Sequence, residues 1–191
     1  MQSIKEKSNI FICLFLFTLL VRGVFGPPNF SPLDAIALFC GAYFNRYASA
    51  LVMSLVTVWL SDVFINKIIF GEWIFFYEAC YWQYASYVLI TSLGTRLSVR
   101  SKLLSQLMPT CFAAAVIFFL ISNAGVWYSG TLYSFTLEGL LACYVSAIPF
   151  FKNTLLSDFF FSLVLFKGFA CLRALVPLLA AKYRSVSVIQ D

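Results

Sequence analysis

The sequence predicts an all-α integral membrane protein with six transmembrane helices and both termini on the cytoplasmic side. Three observations lead there. Hydrophobic residues make up 62% of the 191 and charged residues only 11%, whereas soluble domains sit nearer half and a quarter. Apolar runs recur along the chain, separated by short polar, Pro-bearing or Gly-bearing stretches. Basic residues collect at alternate ends of those runs, as the positive-inside rule requires.

The first helix is expected over 9–25. Lys5 and Lys7 precede an apolar run from Ile10 to Val21, and no small-x-small cleavage site follows, so the run reads as a retained helix and not a signal peptide. Gly26 to Pro32 is a rigid turn. A shorter helix over 33–45 comes next, with Pro32 and Asp34 suited to its start. The third helix covers 47–66, with Asp62 near its end. A loop with Lys67, Gly71 and Glu72 leads to a fourth helix over 77–97, closed by Arg96, Arg100 and Lys102. The fifth covers 103–124, with Pro109 as an expected kink. Residues 136–151 are apolar but few for a span and interrupted by Pro149, and are read as a short non-spanning helix on the outer face. The last span covers 154–181 and ends in Lys182 and Arg184. The whole of 1–191 is one membrane domain.

The charges test this layout. It puts Lys5, Lys7, Arg46, Arg96, Arg100, Lys102, Lys182 and Arg184 on the cytoplasmic side, against Lys67 and Lys152 outside. A seventh span at 136–151 would move Lys182 and Arg184 outside and spoil the bias. The formal charge of +5 therefore belongs to a membrane face, with the lipid bilayer and not nucleic acid as the implied partner.

Chemistry is narrowed by what is missing. There is no histidine, which excludes Ser-His and Cys-His catalysis, most catalytic zinc sites and His-ligated haem. No Walker A, GxGxxG, HExxH or GxSxG pattern occurs, so the chain holds no ATP site. Six cysteines are scattered without a CxxC pair, and five lie inside apolar runs as small hydrophobes. The sixth is different. Cys80, Tyr84, Tyr87 and Thr91 fall at steps of three and four, on one helix face. Near a helix N-terminus the Cys80 thiolate is favoured by the dipole and opposed by nearby Glu78, and a thiolate suits a soft or borderline metal.

In the six-span layout, polar and aromatic groups gather at one depth on the outer side: Cys80, Tyr84, Tyr87, Asp62, Asp158, and Asn29, Trp127 and Tyr128 from the loops. That is the pattern of an outward-facing pocket capped by loops. Blander readings stand beside it. Cys80 can be a buried small residue, Asp62 and Asp158 can pair with Arg22 or cap helices, and Trp73, Trp82 and Trp127 can be interfacial belt residues.

Several stretches resemble a known family: Pro28-Asn29-Phe30-Ser31-Pro32 leading to Gly41-Ala42-Tyr43-Phe44, Leu60-Ser61-Asp62, Asn123-Ala124-Gly125-Val126-Trp127, Leu137-Glu138-Gly139-Leu140-Leu141-Ala142-Cys143-Tyr144, and Pro149-Phe150-Phe151-Lys152-Asn153-Thr154. Together they are similar to the small six-helix membrane proteins related to the substrate-binding S components of energy-coupling-factor vitamin transporters, and within that group to solitary cobalamin transporters. The resemblance implies an outward pocket in a bacterial cytoplasmic membrane and a corrinoid substrate, cobalamin or cobinamide. It also implies Cys80 as axial cobalt ligand, with thiol-assisted removal of a cyanide ligand as the one enzyme-like step. The Ala-xxx-Ala pattern by which S components dock on their coupling module is missing, since Ile10–Phe25 contains no alanine; a protein acting without that module is expected. The alternatives are an S component for another vitamin that does use an ATP-driven module, and a structural membrane protein with no ligand.

Overall fold

The computed structural model describes residues 4–23, 27–44, 46–97 and 103–187. These form six α-helices, and no strand occurs among the described residues: α1 (Ile4–Gly23), α2 (Leu33–Tyr43), α3 (Tyr47–Phe70), α4 (Cys80–Gly94), α5 (Leu103–Ser129) and α6 (Leu137–Ser187). Among the described residues three stretches are long and apolar enough to cross a membrane, Tyr47–Phe70, Ser105–Ser129 and Leu137–Leu175. The outward faces carry bare apolar side chains, such as Ile12, Leu16 and Leu20 on α1 and Leu141, Val145 and Ile148 on α6. Water would not tolerate apolar surface on that scale, and lipid does. The chain is a membrane protein.

α2 is the central strut. It packs against α3, α4, α5 and α6, and all nine residues from Leu33 to Gly41 are buried. A helix buried on every side has no polar face to show, which explains a sequence that is apolar from Ala35 to Ala42, with Asp34 the exception in its first turn. Gly41 and Gly94 let α2 and α4 touch backbone to backbone: a Cβ on Gly41 would strike the carbonyl oxygen of Thr91, and one on Gly94 the carbonyl oxygen of Leu38. Small residues at such crossings gain the close contact that holds helices together where no hydrophobic force acts between them. Further down, Phe39 sits edge-on to Phe166 and Phe169 of α6 at 5.4 Å. Arg173 pairs with Glu6 at 3.4 Å and lies over the Tyr43 ring at 5.0 Å.

Six helices stand where six spans and a separate short helix were expected, and several boundaries differ. α4 begins at Cys80 and not at 77, because Ala79 turns left-handed at φ +61° and Tyr77 and Glu78 stay outside the helix. α3 continues to Phe70, where Gly71 caps it at φ +74°. Asp62 therefore lies two turns inside α3 and not at its end. α5 runs unbroken through Pro109 to Ser129.

The largest correction concerns 136–151. It is not a separate non-spanning helix but the first part of α6, which continues without a break through Pro149. Thr136 starts it, its hydroxyl accepting from the Gly139 amide at 3.1 Å. Contacts to α5 brace both sides of the proline: the Tyr144 hydroxyl donates to the Leu120 carbonyl at 2.6 Å, and Phe119 packs edge-on against Tyr144 and Phe151. Packing of this kind overrides a helix-breaking residue. In consequence Asp158 stands in mid-helix and does not begin one. Arg100 and Lys102, used in the charge count, and Phe25 and Gly26 lie outside the described residues.

Candidate functional site

A cavity of about 370 Å³, lined by both polar and apolar side chains, lies between the helices, under the segment joining α1 to α2. That segment is pinned from below. Phe30 donates its amide to the Pro27 carbonyl at 3.0 Å, and its ring packs on Phe161 at 5.3 Å. The Asn153 side chain on α6 donates to the Pro28 carbonyl at 2.9 Å. Asn29 makes the turn at φ +62°, a conformation asparagine tolerates better than most residues.

One wall of the cavity carries an ion pair. Arg22, at the end of α1, donates to Asp62 Oδ1 at 2.6 Å and to the Ser61 hydroxyl at 2.7 Å. The other oxygen of Asp62 is approached by the Tyr77 and Tyr84 hydroxyls at 3.3 and 3.5 Å, and Tyr77 also donates to Gln83 Oε1 at 2.6 Å. Burial, and then the Asp62 charge beside it, hold the Tyr77 phenol well above its ordinary range, so it stays a donor.

The facing wall carries acids. Asp34, in the first turn of α2, and Asp158, on α6, stand near enough for each carboxyl to act on the charge of the other. Both are buried, at 4% and 1% exposure, and both line the cavity with Ser31, Thr154 and Ser157. Tyr87 and Phe118 close the space from α4 and α5, stacked at 5.8 Å.

Of the residues expected to form a site, Asn29, Tyr87 and Asp158 line this cavity, and Asp62 holds the arginine that does. The stripe on α4 does turn inward: Cys80 and Thr91 are fully buried and Tyr87 nearly so, with the Thr91 hydroxyl donating to Ser54 at 3.1 Å. Cys80 and Tyr84 are outside the cavity lining. Cys80 heads α4 with its amide on the Tyr77 carbonyl at 3.2 Å. Trp127 and Tyr128 belong to a neighbouring aromatic cluster. The Trp127 indole donates to the Ser134 and Thr136 carbonyls and stacks on Phe135 at 4.3 Å, while Tyr128 meets Trp82 at 5.7 Å. That cluster closes the α5–α6 connection.

The sequence reading missed Asp34, Ser31, Gln83, Thr154 and Ser157 as lining groups. Asp34 had been assigned only to starting α2. The signal for more was present, since an acid flanked by buried apolar residues on both sides needs a partner somewhere.

The chain belongs to a family whose model is described as a family of unknown function (DUF6580) and matches residues 2–179. No curated protein matches the chain, and no solved structure does.

Proposed function

We propose that this DUF6580 member is an uptake protein of the bacterial cytoplasmic membrane, its six helices spanning the bilayer with both termini inside, which receives a solute from the outer side. The observation that supports the reading is the cavity itself. A chamber of about 370 Å³ lined by an arginine, two aspartates, an asparagine and several hydroxyls is costly to keep inside an apolar bundle, and intramembrane charge of that kind is a mark of a substrate path.

The solute proposed is a corrinoid, cobalamin or cobinamide, with Cys80 as the axial cobalt ligand. The cobalt ligand cannot be histidine in a chain without one, and thiolate is the strongest remaining donor. Cys80 lies at the head of α4, directly after the left-handed turn at Ala79, so the 71–79 connection would have to swing aside to uncover the thiol and admit a ligand of that size. Once coordinated, the thiolate would assist loss of a cyanide from the opposite face of the corrin. The protein is proposed to act without an ATP-driven module.

The test is the visible spectrum of protein purified from cells supplied with cobalamin. A bound corrinoid with a spectrum unlike the free base-off form, abolished by Cys80→Ala, is the expected result. Unchanged spectrum and affinity in the variant would remove Cys80 from the role, and co-purification of an ATPase pair would overturn the solitary mode.

A second reading is favoured by one observation: Cys80 is fully buried and the cavity is walled by oxygen groups and an ion pair instead. A smaller polar solute, bound without cobalt, fits that lining directly. Binding of such a solute with no corrinoid in the purified protein would select it.

A further inference from the structure

We propose that Asp34 and Asp158, together with the Ser31 hydroxyl, form a binding site for a hard monovalent cation of the size of Na⁺ at the α2–α6 side of the cavity. The proposal rests on the cavity being open to solutes, as in the reading above, but not on what organic solute enters it.

Among the described residues neither acid meets a counter-charge. Asp34 is 4% and Asp158 1% exposed, yet no described N–H or hydroxyl group donates to Asp34 Oδ2 or to either carboxyl oxygen of Asp158. Both line the same cavity. The Ser31 hydroxyl beside them is likewise without a hydrogen-bond partner. The cation on the same cavity, Arg22, is already engaged by Asp62 and Ser61. Two carboxyls in this position must either hold a proton between them or receive a cation, because two buried like charges so near each other are not both sustained.

The donors decide which cation. All are oxygens, which selects a hard ion over the soft metals that thiolates prefer. Among the described residues no group of three or more His, Cys, Asp or Glu side chains converges, so the charge and ligand density that Ca²⁺ usually draws on is missing, as is the near-ideal octahedron that Mg²⁺ demands. One positive charge against two carboxyls, one of them protonated, leaves the site neutral.

The experiment measures equilibrium binding of radioactive Na⁺ to the purified full-length protein in detergent, at pH 8.5 in choline chloride, with no organic solute added. Saturable binding of one ion per chain is expected, weakened about tenfold or more by Asp158→Asn and by Asp34→Asn, and unaltered by Glu6→Gln on the surface pair with Arg173. Should either asparagine variant not fold, the wild-type chain still decides: Na⁺ must raise the thermal midpoint where choline does not. No saturable Na⁺ binding, binding that survives both substitutions, or displacement by Ca²⁺ at far lower concentration would each overturn the proposal. Since no corrinoid is present, failure here is separable from failure of the Cys80 spectrum.

Discussion

Arg22 and Asp62 meet at 2.6 Å between α1 and α3, with the aspartate side chain 5% exposed and the arginine 21%. Neither charge faces lipid alone, and each holds the other at the cavity wall. The pair also ties α1 to the rest of the bundle.

Removing one partner should therefore cost more than the pair is worth. Arg22→Met is expected to destabilise the protein by about 3 kcal/mol, because Asp62 is left buried and uncompensated. The double variant Arg22→Met/Asp62→Leu should recover most of that loss. Thermal unfolding of the purified variants checks both; a double variant as unstable as the single one would contradict the argument.

Gly41 is a second point of leverage. A methyl there meets the Thr91 carbonyl, and backbone gives way less readily than a side-chain tip. Gly41→Ala should separate α2 from α4 and lower stability by about 1–3 kcal/mol. Gly168→Ala, where nothing stands within reach of the added atom, should be neutral or slightly stabilising. The two thermal midpoints, measured side by side, give the comparison.

Pro149 interrupts the sequence of α6 but not its helix. Pro149→Ala should restore a backbone hydrogen bond and raise stability, by up to about 3 kcal/mol if the surrounding contacts persist. A lower melting temperature would mean that the proline ring itself is needed by the packing of Tyr144 and Phe151 on Phe119.

Topology can be read with a membrane-impermeant thiol reagent on intact cells. In a background lacking the native cysteines, Gly71→Cys should be labelled from outside. Glu6→Cys should be labelled only after the membrane is permeabilised. The reverse pattern would invert the proposed orientation of the cavity.

Cys80 makes its own prediction. With the thiol fully buried, alkylation by a small permeant maleimide should be slow compared with a cysteine put in place of the exposed Glu138 at the start of α6. Added cobalamin should alter the Cys80 rate and leave that of Glu138→Cys unchanged. Fast labelling of Cys80 in the ligand-free protein would show that the head of α4 opens on its own.

How far the sequence reached follows from the kind of signal each feature leaves. The all-helical, membrane character was legible because hydropathy is summed over many residues, and local errors average out. That Cys80, Tyr87 and Thr91 share one face was legible from their spacing, but that the face turns inward was not. The Arg22–Asp62 pair had been weighed as one of two readings of those charges, and the geometry selects it. Continuity through Pro149 was not legible, since it depends on Phe119 and Leu120 from another helix. Nor was the left-handed turn at Ala79, which no glycine announces. The meeting of Asp34 with Asp158 joins residues far apart in the chain, and only tertiary structure brings such acids together.

α2 has 11 residues where α3 has 24, so it rises about 16 Å against about 36 Å for its neighbour. The chamber stands where the absent turns of α2 would have been. Its depth is thus set by chain length in the α1–α2 region more than by the choice of lining side chains. Relatives could enlarge or shrink the space by moving the start of one helix by a turn, leaving the surrounding bundle untouched. By the same logic, extending α2 backwards by a single turn would fill the chamber at the expense of the wall that residues 27–31 now form.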